Sequence, residues 1–185
     1  QSSDAENKKA AALALAEEHG WQVAPCWWAA DGSCGCGDPN CHSPGKHPIG
    51  QLAPRGLKSA TTDLSVIADW WDKQPRANIA VRTGTKFWAL DCDGADGKKA
   101  FCDLCDLNEE YGETVSQFTG GGGMQEFFRP IKGLRNRTKI NGLSIDVRGE
   151  DGYVIVPPSE HVSGSRYAWE FPPDRYKLAE APTWL

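Results

Sequence analysis

No apolar run in this 185-residue sequence approaches the roughly 18–20 residues that a membrane-crossing helix needs, so no membrane is expected among its partners. No secretory signal opens it, because Gln1-Ser2-Ser3-Asp4 leads straight into a charged, Ala-rich stretch. Basic charge is not in surplus, with 20 Lys and Arg against 25 Asp and Glu. A small basic nucleic-acid module leans the other way. Nucleic acid stays open as a partner, because carboxylates that hold metal ions count as negative until the metal binds. Internal repeats and low-complexity segments are absent, and 20 Gly and 12 Pro lie scattered without collagen or linker periodicity. With 39% hydrophobic and 24% charged residues, a largely disordered chain is excluded. The length fits one domain, residues 1–185, able to bury a sizeable core. An initiator Met is also lacking, and the chain stops on Ala181-Pro182-Thr183-Trp184-Leu185, so an excised domain with a further domain downstream is expected.

What the chain does contain starts with cysteine. The count of seven is odd, and Cys34, Cys36 and Cys41 crowd into eight residues. That clustering points to metal binding in a reducing compartment, hence the cytoplasm, rather than to a disulfide framework. Residues 31–48 break every periodic pattern with Gly, Pro, Cys and His, and no apolar cluster is present to order them. Three Cys and one His suit tetrahedral Zn²⁺. His42 and His47 compete for the fourth place. His47 is favoured, since His42 adjoins Cys41 and would need a tight bend to reach the same ion. Four protein ligands leave no open position, so the zinc is read as structural. Cys26, Cys92, Cys102 and Cys105 read as packing or surface residues.

Hydrophobic spacing predicts a helix from about Asp4 to His19, with Asp4 as cap, Gly20 as stop, and Ala5, Ala12, Leu13 and Ala16 on one face. Trp21 to Cys26 reads as a buried strand interrupted by Pro25. A second helix follows Thr62-Asp63, with Leu64, Ile67, Ala68 and Trp71 at helical spacing and Pro75 beyond its end. The runs 78–81 and 87–91 read as paired strands around the turn Thr83-Gly84-Thr85. A third helix is expected from Ala95 to Tyr111, with Phe101, Leu104 and Cys105 inward, and strands at 125–128, 143–147 and 153–156, the later ones at hairpin-like spacing. The fold class is therefore α+β: a mixed, largely antiparallel sheet flanked by helices, with a small zinc-binding insert at 31–48.

Asp91 and Asp93 close a strand, and strand alternation points both to one face. Alone, the pair fits a solvated strand end better than a cation site. Asp146 adds an acid inside the apolar run Leu143-Ser144-Ile145-Asp146-Val147, where charge is costly unless paired or metal-bound. If the strands are neighbours, three carboxylates converge on Mg²⁺ or Mn²⁺, as two-metal phosphoryl or nucleotidyl transfer needs. The loop Thr119-Gly120-Gly121-Gly122-Gly123 brings backbone N–H groups close to an anion, or is a plain hairpin turn. The strand at 153–156 delivers Ser159 and His161 into a loop, both able to hydrogen-bond a phosphate.

These blocks occur in a joint order that resembles the bifunctional DNA primase/polymerase domain of the archaeo-eukaryotic primase superfamily. The resemblance runs from the Ala-rich helix and Gly20-Trp21 through Gly45-Lys46-His47-Pro48, Ala60-Thr61-Thr62-Asp63 and Asn78-Ile79-Ala80-Val81-Arg82-Thr83-Gly84. It continues with the Asp91/Asp93 pair and the glycine loop, and ends with Ile145-Asp146-Val147-Arg148-Gly149 and Pro157-Pro158-Ser159. It implies a primase-like fold and template-directed nucleotidyl transfer, with Asp91, Asp93 and Asp146 as metal-binding acids. Gly122, Gly123, Gln125, Ser159 and His161 would hold the triphosphate, with Lys46 and Arg148 as further phosphate contacts. The family usually places a His where this chain has Gln125, and Gln cannot carry positive charge. Expected partners are a single-stranded DNA template and primer, nucleoside triphosphates, and a C-terminal helicase or other replication domain, in a phage, plasmid or bacterial replication protein. Related primases often carry a zinc element that helps to grip template or primer; a plain structural staple is the other reading. The rival functions are a catalytically lapsed single-stranded-DNA-binding relative, which Gln125 favours, and a metal-dependent nuclease using the same acids.

Overall fold

The computed structural model describes residues 2–30, 32–108 and 112–185, the side chains of 2–6 excepted. Along the chain run α1 (Ser2–His19), β1 (Val23–Cys26), β2 (Ala29–Ala30), β3 (Ser33–Cys34), α2 (Leu64–Lys73), β4 (Asn78–Arg82) and β5 (Trp88–Cys92). They are followed by α3 (Gly94–Leu107), β6 (Ser116–Phe118), β7 (Met124–Phe128), β8 (Ile145–Arg148), β9 (Tyr153–Val156) and β10 (Ala168–Phe171). The architecture is α+β. No helix among the described residues is long and apolar enough to cross a membrane.

The chain forms two compact units: Gln1–Arg82 with Tyr153–Ala168, and Thr83–Gly152 with Trp169–Leu185. The first unit holds a three-stranded sheet in the order β1-β4-β9, both pairings antiparallel. α1 and α2 pack on each other and against β1. Gly20 ends α1 as expected: at φ 64° it takes the left-handed turn that an L side chain resists, and its N–H returns to Ala16 O at 3.1 Å. α1 starts at Ser2, so Asp4 lies inside the helix instead of capping it. Its buried face is Lys8, Ala12, Leu15 and Ala16, with Leu13 only half-buried; the side chain of Ala5 lies outside the described residues. Asp63 caps α2, accepting from Ser65 N at 2.9 Å and Val66 N at 3.3 Å. That helix buries Ile67, Trp70 and Trp71.

The second unit holds a five-stranded sheet in the order β10-β6-β7-β5-β8, in which β6–β7, β7–β5 and β5–β8 are antiparallel. Strand alternation gives the sheet two different faces. One carries Trp88, Leu90, Cys92, Met124, Phe128, Ile145 and Val147, packed with Phe101 of α3 and flanked by Leu104 and Cys105. The other carries Gln117, Gln125, Asp91, Asp146 and Arg148. The predicted helix end at Tyr111 lies outside the described residues, and Leu107 is the last residue of α3.

Two expected pairings are corrected. β4 and β5 do not form a hairpin: β4 takes β1 and β9 as neighbours, and β5 takes β7 and β8. β8 and β9 likewise belong to different sheets, so the hairpin-like spacing late in the chain carries no pairing. The single expected sheet is two sheets plus the two-stranded ribbon β2–β3. β2, β3, β6 and β10 were not foreseen from the sequence.

Candidate metal centres

The acids are placed by strand register. Asp91 sits opposite Gln125 on β7 and opposite Asp146 on β8, and Gln125 sits opposite Gln117 on β6. Four adjacent strands therefore carry Gln117, Gln125, Asp91 and Asp146 in one row on one face. Asp93 follows β5 in extended backbone, φ −74° and ψ 120°, so alternation returns it to the face of Asp91. One carboxylate oxygen from each of Asp91, Asp93 and Asp146 falls within 4.8 Å of the others. Asp91 and Asp146 are each 7% exposed, and Asp93 is open to solvent.

The buried acids are held by named donors. Arg148 donates to Asp91 Oδ2 from Nε at 3.1 Å and Nη2 at 2.9 Å, and Nη2 also donates to Asp146 Oδ2 at 2.9 Å. Lys139 N–H donates to Asp146 Oδ1 at 2.9 Å. Gln125 Nε2 donates to Asp91 Oδ1 at 2.8 Å, and Gln117 Nε2 donates to Gln125 Oε1 at 2.5 Å. Burial works against the charge on Arg148, but Asp91 and Asp146 more than offset it and hold its pKa above the ordinary value. The buried pair Asp91 and Asp146 shares one guanidinium, two carboxylates against one cation, which leaves a negative charge that suits a divalent cation.

The donor set fits a hard divalent ion. Octahedral Mg²⁺, with bonds of about 2.1 Å, spaces its oxygens roughly 3–4.2 Å apart. A spread within 4.8 Å closes onto such an ion by sub-ångström side-chain movement.

The glycine loop is the β6–β7 turn. Gly122 N donates to Thr119 O at 3.0 Å, and Thr119 N to Gly123 O at 2.9 Å. A Cβ on Gly123 would stand 2.2 Å from Cys92 O and 2.8 Å from Gly94 N, so only glycine lets this turn press onto the backbone flanking Asp93.

The second cluster lies in the first unit. Cys34, Cys36, Cys41 and His47 each offer one ligand atom within 4.8 Å of the others; His42 is outside the group. His47 Nε2 is 3.4 Å from Cys34 Sγ and 3.5 Å from Cys41 Sγ. Tetrahedral Zn²⁺, with Zn–S of about 2.3 Å and Zn–N of about 2.05 Å, sets that edge at about 3.6 Å. The Cys34–His47 and Cys41–His47 edges thus match those of a tetrahedral site. The β2–β3 ribbon sets Cys34, and Trp27 N–H fixes the His47 backbone, donating to its carbonyl at 2.9 Å. Burial resists ionisation of Cys34, but N–H groups of Cys36 and Gly45 and the neighbouring thiols outweigh it and draw its pKa down. Cys26 and Cys92 are buried, and burial pushes both thiols far up, so they pack rather than react. Cys102 is exposed and Cys105 half-buried. Asp31, the first residue of the expected insert, lies outside the described residues.

The remaining predicted residues also lie in the first unit. Ser159 is fully buried, and its hydroxyl accepts the Ile79 N–H at 2.8 Å. His161 is half-buried, and burial, then Lys46, hold its pKa below the ordinary value. Asn78 ties their neighbourhood together, donating to Gly45 O at 3.0 Å and Glu160 O at 2.8 Å. The sequence reading missed Asn78, and it also missed Gln117, whose strand was unforeseen.

The sequence model of the family described as bifunctional DNA primase/polymerase, N-terminal, matches residues 12–184. The chain belongs to this family. No curated protein matches the chain. At family level, membership of the bifunctional DNA primase/polymerase N-terminal family carries DNA primase and polymerase activity, a nucleotidyltransferase class, with DNA and nucleotides as ligands. The primase/polymerase match spans both the Cys₃His cluster and the acid triad.

Proposed function

We propose that this chain is a catalytic domain of the archaeo-eukaryotic primase type that starts or extends nucleic-acid chains on a single-stranded DNA template. The observation that carries the proposal is the convergence of Asp91, Asp93 and Asp146 within 4.8 Å in a chain of this family. Bound there, two Mg²⁺ or Mn²⁺ ions would activate the 3′ hydroxyl and neutralise charge on the leaving pyrophosphate. The protein's own task is to hold the acids. Asp91 is fixed on both oxygens, by Gln125 and Arg148, and Asp146 by Arg148 and Lys139 N–H. Gly122 and Gly123 would present backbone to the triphosphate. Arg148 is then free to exchange a carboxylate for a phosphate oxygen. Lys46 and His161 keep the phosphate-contact role that the resemblance gives them. The Cys₃His element, within 31–48, is proposed to hold Zn²⁺ and to order a segment that has no core of its own. A replication protein of phage, plasmid or bacterial origin, acting in the cytoplasm beside a helicase-type domain, is the setting this reading fits.

The test is primer extension with Mg²⁺ or Mn²⁺, with and without a pre-made primer. Asp93→Ala is the cleanest variant, because Asp93 is exposed and its loss removes a ligand without removing core. Incorporation should fall to background. Wild-type-like incorporation by Asp93→Ala would sink the assignment. One observation favours a second reading, a lapsed DNA-binding relative: Gln125 spends its amide on Gln117 and Asp91. Single-stranded-DNA binding without incorporation, at saturating metal and triphosphate, selects it.

A further inference from the structure

We infer that Gln117 is a positioning residue: through Gln125 it orients the Asp91 carboxylate toward the metal ions. The inference rests on the metal-binding role proposed for Asp91. The chemistry of the row fixes its polarity. An ionised carboxylate only accepts hydrogen bonds, so the Gln125 atom facing Asp91 Oδ1 must be Nε2. That leaves Gln125 Oε1 facing Gln117, and Gln117 must answer with its own Nε2. The contacts obey this order, at 2.8 Å from Gln125 to Asp91 and 2.5 Å from Gln117 to Gln125. Register makes the row rigid, since Gln117, Gln125 and Asp91 are directly opposed on neighbouring strands. Burial makes it strict: Gln117 is 0% exposed and Gln125 6% exposed, so water does not readily replace a lost partner.

A glutamine amide can rotate to present either end. Without a donor at position 117, the Gln125 carbonyl is left buried and unpaired, and the amide is released to turn. A turned amide would set oxygen against oxygen at Asp91 and push the carboxylate out of place. Partners that orient metal ligands in this way typically govern metal affinity by about 10- to 100-fold. Gln117 touches neither substrate nor metal in this account and acts only through Gln125.

The experiment measures Mn²⁺ binding to the full chain by electron paramagnetic resonance, without triphosphate or DNA. Gln117→Leu should weaken Mn²⁺ binding about tenfold. In a Gln125→Leu background the same substitution should change Mn²⁺ affinity less than twofold, because the residue it acts through is gone. Should Gln117→Leu fail to fold, Gln117→Asn shortens the donor by one methylene and takes its place in both backgrounds. A merely structural role would lower the melting temperature and leave Mn²⁺ affinity unchanged, or weaken it equally in both backgrounds; either result overturns the inference. So does a wild-type chain that binds no Mn²⁺ sensitive to Asp91→Asn. A chain that binds Mn²⁺ with the predicted coupling but incorporates no nucleotide upholds Gln117 and refutes the polymerase reading, which keeps the two failures apart.

Discussion

Replacing Arg148 with Gln should make the stability of the second unit depend on divalent metal. Asp91 and Asp146 offer oxygens at most 4.8 Å apart and share the Arg148 guanidinium. Two unit charges at that distance repel by about 3.5 kcal/mol at an effective dielectric constant of roughly 20. The Arg148 side chain is 31% exposed, so solvent screens part of that, and about 2 kcal/mol is a fair net cost. For a chain of this length that lowers the melting temperature by about 4–8 °C in chelator. Mn²⁺ supplies the missing positive charge and should return most of the loss. The assay is thermal unfolding of both proteins with EDTA and with millimolar Mn²⁺. The variant should show the larger metal-induced rise. Arg148→Lys should fall between the two, since it keeps the charge and loses the two-pronged geometry. If the variant melts within a degree of wild type in EDTA, or Mn²⁺ raises both equally, the guanidinium is not the counterion of this acid pair.

Elemental analysis should find one zinc per chain, and Cys36→Ser should lose it; a folded, metal-free protein with Cys34, Cys36 and Cys41 all freely reactive rules the site out. Lys46→Ala should move the pKa of His161 upward in an NMR titration, because Lys46 is the second cause, after burial, of its depression. In the wild type, between that depressed value and the ordinary one near 6.5, the unfolded chain binds a proton that the folded chain refuses. Stability therefore rises with pH across that window, and the rise should shrink in the variant.

Local chemistry made much of this molecule legible. Tyr153–Val156 has the predicted bounds, and 125–128 and the core of 143–147 are strands, because apolar β-formers there sit between turn residues. The spacing of Cys34, Cys36, Cys41 and His47, and the costly acid Asp146, stood out because polar residues in such places need a partner. Pairing was not legible. Val81 bonds across to Val23 and Val154, far away in the sequence, while the short turn at Thr83 suggested a hairpin. β6 has three residues, too few for alternation to register, and its loss hid Gln117. Asp4 has the chemistry of a cap, but α1 runs back to Ser2.

The interleaving of the two units has a consequence for synthesis on the ribosome. β4 is the middle strand of its sheet, with Ile79, Ala80 and Val81 fully buried, yet one of its partners, β9, is made only after residues 83–152 have emerged. Until then β4 has an open edge of unpaired N–H and C=O groups, the kind of edge that recruits other chains. The five-stranded sheet waits in turn for β10 at Ala168–Phe171. A nascent chain stalled anywhere between Cys92 and Gly152 therefore exposes an apolar strand it cannot yet cover, and no contiguous fragment of this protein carries the three-stranded sheet without four strands of the five-stranded one.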